Sequence, residues 1–360
     1  MKNIFSISLI ILCLNIACSS MQEGNNKILL SSKDVKNTDL PLQKICKLDE
    51  NLTTIGVIKS FDFVDESKFV VANPEQAQVI LYNREGSQLA KVGGQGRGPF
   101  EYEKPDIVKV KDDKIFIWCS SLRKLLVFKT SGEPLNEFVE FPKGVKDFAV
   151  YKQYVCFYTS FGKGNSFIEI FDMNTGEFIS QHFGTISSEQ EVLDSYECSG
   201  GMTILGKTLF YASSDQTIIY TVDLETFKSL SYPIADEEFH VTKLKESPQE
   251  IIENPNKAVK YIFGSDIITG LLATDNTIVL RSEVGPVEME GMQFKDQSKR
   301  FQKNYLFDNE MNLKFVLKSR LNEGCSNCLY AADGKYIYNL KQNIRENNFS
   351  YELNKVVFDI

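Results

Sequence analysis

The 360-residue sequence holds a single Trp and only two His, His182 and His240. Two histidines far apart, without paired spacing, do not make a zinc site and leave little imidazole for acid–base work. No Gly-x-Ser-x-Gly elbow occurs, so a hydrolase of that class is unsupported. No apolar run reaches the roughly 18 residues that a membrane-spanning helix needs. A positive charge balance is missing as well. Against 48 acidic side chains stand 40 basic ones, a net charge of −8, which argues against broad binding to nucleic-acid phosphate. What the chain does have is apolar bulk: 42% hydrophobic residues, with 26 Phe and 15 Tyr able to fill a large β-rich core. That composition excludes wholesale disorder.

The chain opens Met1-Lys2-Asn3 and then runs apolar over residues 4–17, interrupted by Ser6, Ser8 and Asn15. One cation followed by a short apolar stretch is the pattern of a secretory signal peptide, here residues 1–17. The stretch closes Leu14-Asn15-Ile16-Ala17-Cys18 and turns polar at Ser19. This resembles the lipobox of bacterial lipoproteins, although Asn15 stands where an aliphatic residue is usual. The resemblance implies that Cys18 is lipidated and that residues 18–26 form a tether. It also implies an outer-membrane lipoprotein facing the periplasm or the cell surface, since two or three acyl chains anchor stably where one does not. Plain cleavage near Ala17, with Cys18 a spectator, is the alternative.

Beyond the tether a phrase recurs six times: an alternating apolar strand, a polar turn, a second apolar strand, and often another turn and strand. Lys114-Ile115-Phe116-Ile117-Trp118, Leu125-Leu126-Val127-Phe128 and the turn Thr130-Ser131-Gly132-Glu133 make one copy. Tyr154-Val155-Cys156-Phe157-Tyr158, Phe167-Ile168-Glu169-Ile170-Phe171 and Asn174-Thr175-Gly176-Glu177 make the next. A lone meander exposes two apolar faces, and packing copies around an axis buries both. The expected fold is therefore all-β: a six-bladed β-propeller of four-stranded antiparallel meanders, one domain over residues 27–360. Closure borrows a strand from the opposite terminus, and Lys27-Ile28-Leu29-Leu30-Ser31 is the expected donor to the last blade. Ser247-Pro248-Gln249-Glu250 carries a capping box and predicts a short helix in an insertion before blade five. Cys119 and Cys156, inside apolar strands, read as buried thiols.

The run Gly93-Gly94-Gln95-Gly96-Arg97-Gly98-Pro99-Phe100-Glu101-Tyr102 resembles the inter-blade phrase of the six-bladed NHL/TolB-like propeller lipoproteins of Bacteroidota. That resemblance implies a scaffold and little chemistry. Phe100 replaces a usual Gly, so the tight turn is expected to differ. No helix follows these glycines, so the run is not a dinucleotide loop. Arg97 is its one residue of functional interest, either as a cation near a propeller face or bonded to loop carbonyls or a neighbouring acid.

An acid recurs at the expected innermost strands: Asp62, Asp106, Asp147 and Asp266. Facing the axis, the four would form a partial carboxylate ring able to hold Ca2+ or a cationic ligand. Bonded to backbone N–H groups instead, they would tie blades together. Cys325-Ser326-Asn327-Cys328 is a lone CxxC, read as a local disulfide or a pair of structural thiols. No catalytic residue is assigned, and no cofactor is expected unless the aspartates take Ca2+. The leading reading is a monomeric, membrane-tethered scaffold that binds an envelope protein, peptide or glycan. A metal-dependent propeller enzyme of lactonase or lyase type is the alternative.

Overall fold

The computed structural model describes residues 27–358, apart from residues 39, 142, 161, 286–287, 291–292, 297–299, 321–327 and 346–347. The expected signal peptide (residues 1–17), Cys18, the expected tether (residues 18–26) and Cys325 lie outside the described residues.

Six four-stranded antiparallel blades follow one another along the chain. From the innermost strand outward, blade one is Ser60–Asp65, Lys68–Asn73, Gln78–Asn83 and Gln88–Lys91. Blade two is Pro105–Lys111, Lys114–Cys119, Lys124–Lys129 and Pro134–Phe138. Blade three is Val145–Tyr151, Tyr154–Thr159, Ile168–Asp172 and Glu177–Phe178. Blade four is Gly201–Leu205, Thr208–Ala212, Ile218–Asp223 and Ser229–Ala235. Blade five is Ile267–Ala273, Ile278–Val284, Phe301–Phe307 and Leu313–Arg320. Blade six is Cys328–Ala332, Ile337–Arg345, Asn348–Val356 and, returning from the start of the domain, Leu42–Lys47. Each innermost strand touches the next, and the sixth touches the first, so the ring is closed.

The apolar runs follow from this packing. In the second strand of blade two, Ile115, Ile117 and Cys119 pack with Val70, Val79 and Leu81 of blade one. The alternate residues Phe116 and Trp118 pack with Phe148, Val155 and Phe157 of blade three. A strand buried on both faces reads as continuous hydrophobe rather than as alternation. Cys119 and Cys156 are fully buried without a disulfide, and desolvation pushes the Cys156 thiol well above its ordinary range.

Tyrosine hydroxyls stitch the wheel. Tyr102 Oη donates to the Val92 carbonyl at 2.6 Å and accepts from the Val79 N–H at 3.1 Å, fastening the connection to blade one. Tyr351 of blade six donates to the Gly56 carbonyl at 2.9 Å and accepts from the Ile58 N–H at 2.8 Å, which fastens the last blade to the first.

The closing strand is not the expected one. Residues Ile28–Leu29 lie parallel beside Ile234 and Ala235 on the rim of blade four. Val35–Asn37 then runs parallel to Val316–Lys318 of blade five, and Leu42–Lys47 pairs antiparallel with blade six. The N-terminal segment thus straps three consecutive outer edges before completing the last blade, covering unpaired edge groups as it goes. Residues 27–31, the expected donor to the last blade, begin the strap at blade four, and Leu42–Lys47 ends it at blade six.

The capping box at Ser247 is present in full: Glu250 N–H donates to Ser247 Oγ, and Ser247 N–H donates to Glu250 Oε2. Its helix, Pro248–Ile252, is joined by Pro255–Phe263 and by Ser188–Ser195, neither of which was anticipated. Val192 and Leu193 pack on Ile251, Ala258, Tyr261 and Ile262, forming a helical cap on Ile267 at the start of blade five's inner strand.

Candidate ligand-binding face

Every innermost strand starts on one face of the wheel and ends on the other, and the two faces differ. On the end face the turns are short, such as residues 112–113 in blade two and 274–277 in blade five. On the start face lie the three cap helices, the hairpin Glu288–Glu290 and Gln293–Asp296 of blade five, and the nine-residue second and third strands of blade six. Among the described residues, the long insertions therefore fall on one side.

A funnel of about 870 Å3 opens on the start face. Its cations recur at one structural position. Lys59 precedes the inner strand of blade one and Lys104 that of blade two, while Lys143 and Lys146 bracket the start of blade three's. Arg123, in the turn before the third strand of blade two, adds a fifth; among the described lining residues only Asp106 and Glu197 stand against them. Lys59 pairs with Glu197 at 3.2 Å, and Lys104 lies 3.9 Å from Asp106. Burial raises the Glu197 carboxyl, but the Lys59 contact outweighs it and holds the group below the usual range.

Below the funnel a channel of about 690 Å3 runs to the end face. Here Asp62 and Asp147 come together around Lys109, whose Nζ is 2.9 Å from Asp147 Oδ1. Asp62 accepts from the Val110 and Phe63 N–H groups at 2.7 and 2.9 Å, and Asp147 from the Phe148 N–H at 2.8 Å. Desolvation pushes Asp62 up to about 6 despite the Lys109 charge. Lys109 and Asp147 keep 30% and 28% of their side chains exposed, so water screens part of that cost. The channel's end-face mouth carries Asp65, Asp112, Asp113, Asp275 and Asp333 against Lys111. Asp333 is neutralised by Arg84 at 2.7 Å, across blades one and six.

The four aspartates do not converge as one ring; each accepts from backbone N–H groups. Asp106 sits in the funnel and accepts from the Ser120 N–H at 3.1 Å. Asp266 is buried and accepts from the His240 and Gly285 N–H groups, both at 2.7 Å, tying the insertions to blade five. Among the described residues no group of three or more His, Cys, Asp or Glu is arranged to hold a metal. Between Asp62 and Asp147 the ammonium of Lys109 occupies the place a cation would take.

Arg97 is far from the channel. Its side chain is 78% exposed and pairs with Glu103, the neighbouring-acid alternative. The loop around it is held from beneath: Lys124 donates to the Gly98 carbonyl at 3.1 Å, and the Phe100 N–H donates to Glu137 Oε2 at 2.6 Å. Phe100 takes a left-handed backbone, φ 57°, a conformation that favours glycine. Its ring meets Phe128 edge-on at 6.2 Å, which offsets backbone strain. Cys328 starts the inner strand of blade six and lines both cavities.

The lysines were the missed signal. Lys104-Pro105-Asp106 and Lys146-Asp147 place a cation beside two of the aspartates, and both lysines reach the opening, where Asp106 joins them while Asp147 lies in the channel.

A closed ring of six meanders with one elaborated face defines the class: a six-bladed β-propeller. The family model described as "6-bladed beta-propeller" (DUF5128) matches residues 48–269, more than half of the chain, and the chain belongs to that family. Among solved structures it is similar to a Bacteroides fragilis protein described as exported, at 12% identity and a TM-score of 0.59, covering 90% of this chain and 99% of that one. It is also similar to a member of the DUF4221 family from Bacteroides vulgatus, at 10% identity and a TM-score of 0.63, covering 89% and 99%. At these identities the likeness concerns the fold. No curated protein matches.

Proposed function

We propose that this chain is an exported binding scaffold that engages its partner through the funnel on the start face. Lipid on Cys18 would hold it at the outer membrane, with residues 18–26 as tether, as in the propeller lipoproteins that its inter-blade phrase resembles. The observation that carries the reading is the one-sided decoration. Loops add stability only when packed, and insertions gathered round one opening are what a binding site on a rigid scaffold requires. The funnel's volume falls within the range of about 300–1,000 Å3 usual for ligand sites.

Two measurements test it. Cells fed an alkynyl fatty acid should label the wild-type chain, and Cys18→Ala should abolish the label and release the protein from membranes; an unlabelled wild type would remove the anchor. On mixed glycan and peptide arrays, the purified domain should bind a ligand that Ser121→Trp, a ring placed in the funnel, excludes. Binding untouched by that substitution would move the site elsewhere.

A further inference from the structure

Resting on that reading, we infer that the funnel takes an anionic oligosaccharide, one carrying carboxylate or sulfate groups. Charge is the first argument. Among the described lining residues five cations face two acids, in a chain whose acidic residues outnumber its basic ones by 48 to 40. Arg123, Lys143 and Lys146 form no ion pair with any described carboxylate. Like charges gathered at an opening repel one another and attract counter-ions, and low-dielectric walls focus that field outward.

The neutral lining supplies the second argument. Ser120, Ser121, Ser199 and Gln342 offer hydroxyl and amide groups matched to sugar hydroxyls. Of the apolar members, Ile58, Ile107, Trp118 and Tyr351 are almost wholly buried, and Val57, Val145 and Leu329 stay half-buried between the cations. A hydroxylated, charged chain meets what is offered.

The test is fluorescence anisotropy on the mature domain with four probes: hexagalacturonate, a sulfated heparin-derived hexasaccharide, neutral maltohexaose and hexaglutamate. At least one acidic sugar should bind about tenfold or more tighter than maltohexaose and hexaglutamate, and weaken about tenfold from about 50 to about 500 mM NaCl. Lys143→Glu with Lys146→Glu should abolish that binding, and Lys129→Glu, exposed at the end-face end of blade two's third strand, should leave it intact. Circular dichroism and melting report whether each variant is folded. Equal binding of hexaglutamate, or of neither acidic sugar, overturns the ligand class. Salt-independent binding of maltohexaose that Ser121→Trp blocks overturns the charge argument and leaves the funnel as the site. Binding of acidic sugar that both the lysine and the Ser121 variants retain overturns the two together.

Discussion

The two faces of this propeller are built from the same strands and behave as different surfaces. On the end face, turns of a few residues close the hairpins, and the mouth is acidic. On the start face, helices, hairpins and long connections pack over the blades, and the mouth is basic. Turn chemistry dictates the first: a tight reversal recruits Asp, Asn and Gly, which leaves carboxylates at the rim as a by-product. Asp333 shows the effect, accepting from the Lys335 and Tyr336 N–H groups while bonded to Arg84. No turn geometry demands lysine where an inner strand begins. The basic mouth is therefore the one that calls for a functional explanation.

The faces should also differ in what their charges contribute to stability, and the largest effect lies beneath the start face. Lys303 is buried, 2.7 Å from buried Asp236, and reaches Glu238 at 2.9 Å; the Tyr305 hydroxyl also donates to Asp236. Lys303→Met should cost about 3–5 kcal/mol in urea unfolding, because it strands a carboxylate in the core. A loss below 1 kcal/mol would mean that water reaches Asp236.

Asp194 comes next. It lies fully buried under the cap, where Gln190 Nε2 approaches it at 3.3 Å. Desolvation pushes its carboxyl up to about 7, with Lys146 pulling the other way. A carboxyl raised on folding favours the fold while protonated. Its contribution is complete below the unfolded value near 4 and is lost as pH rises through about 7. The wild type should therefore lose up to about 4 kcal/mol relative to Asp194→Asn between about pH 4 and pH 8. Parallel pH profiles for the two proteins would contradict the burial.

Tyr102→Phe should cost about 1–3 kcal/mol, since it removes both hydrogen bonds and leaves the Val79 N–H and Val92 carbonyl without that partner. Phe100→Ala should be less stable than Phe100→Gly by about 1 kcal/mol, because the left-handed backbone penalises any Cβ and both changes delete the ring. The smallest effect belongs to the end face. Lys207 reaches Asp223 at 2.9 Å and Glu225 at 3.4 Å with half its side chain exposed, so Lys207→Ala should change stability by no more than about 1 kcal/mol.

How far the amino acids disclose this follows from burial. Strands such as Ile115-Phe116-Ile117-Trp118-Cys119 are apolar on both sides because both sides are covered, so blade order was legible. The strand Leu42–Lys47 was not: only Cys46 is buried, and an outer strand with Lys44 and Lys47 facing water carries no hydrophobic pattern. The helix Ser188–Ser195 escaped notice although Ser187 caps it through the Gln190 N–H, since its polar residues mask the short apolar stripe of Val192 and Leu193. At the site, acids were visible as a recurrence, but a recurrence does not say which way a side chain points. Asp62, Asp106, Asp147 and Asp266 all turned to backbone N–H groups, Asp147 to Lys109 as well, and the lysines were left to shape the opening.

Hydrogen–deuterium exchange on the mature domain, with and without saturating hexagalacturonate or the sulfated hexasaccharide, tests the central claim most directly. The account predicts new protection at residues 57–59, 104–107 and 143–146, where the inner strands begin. Protection at residues 112–113, 274–277 and 333–334 instead would place the ligand on the acidic face and contradict it.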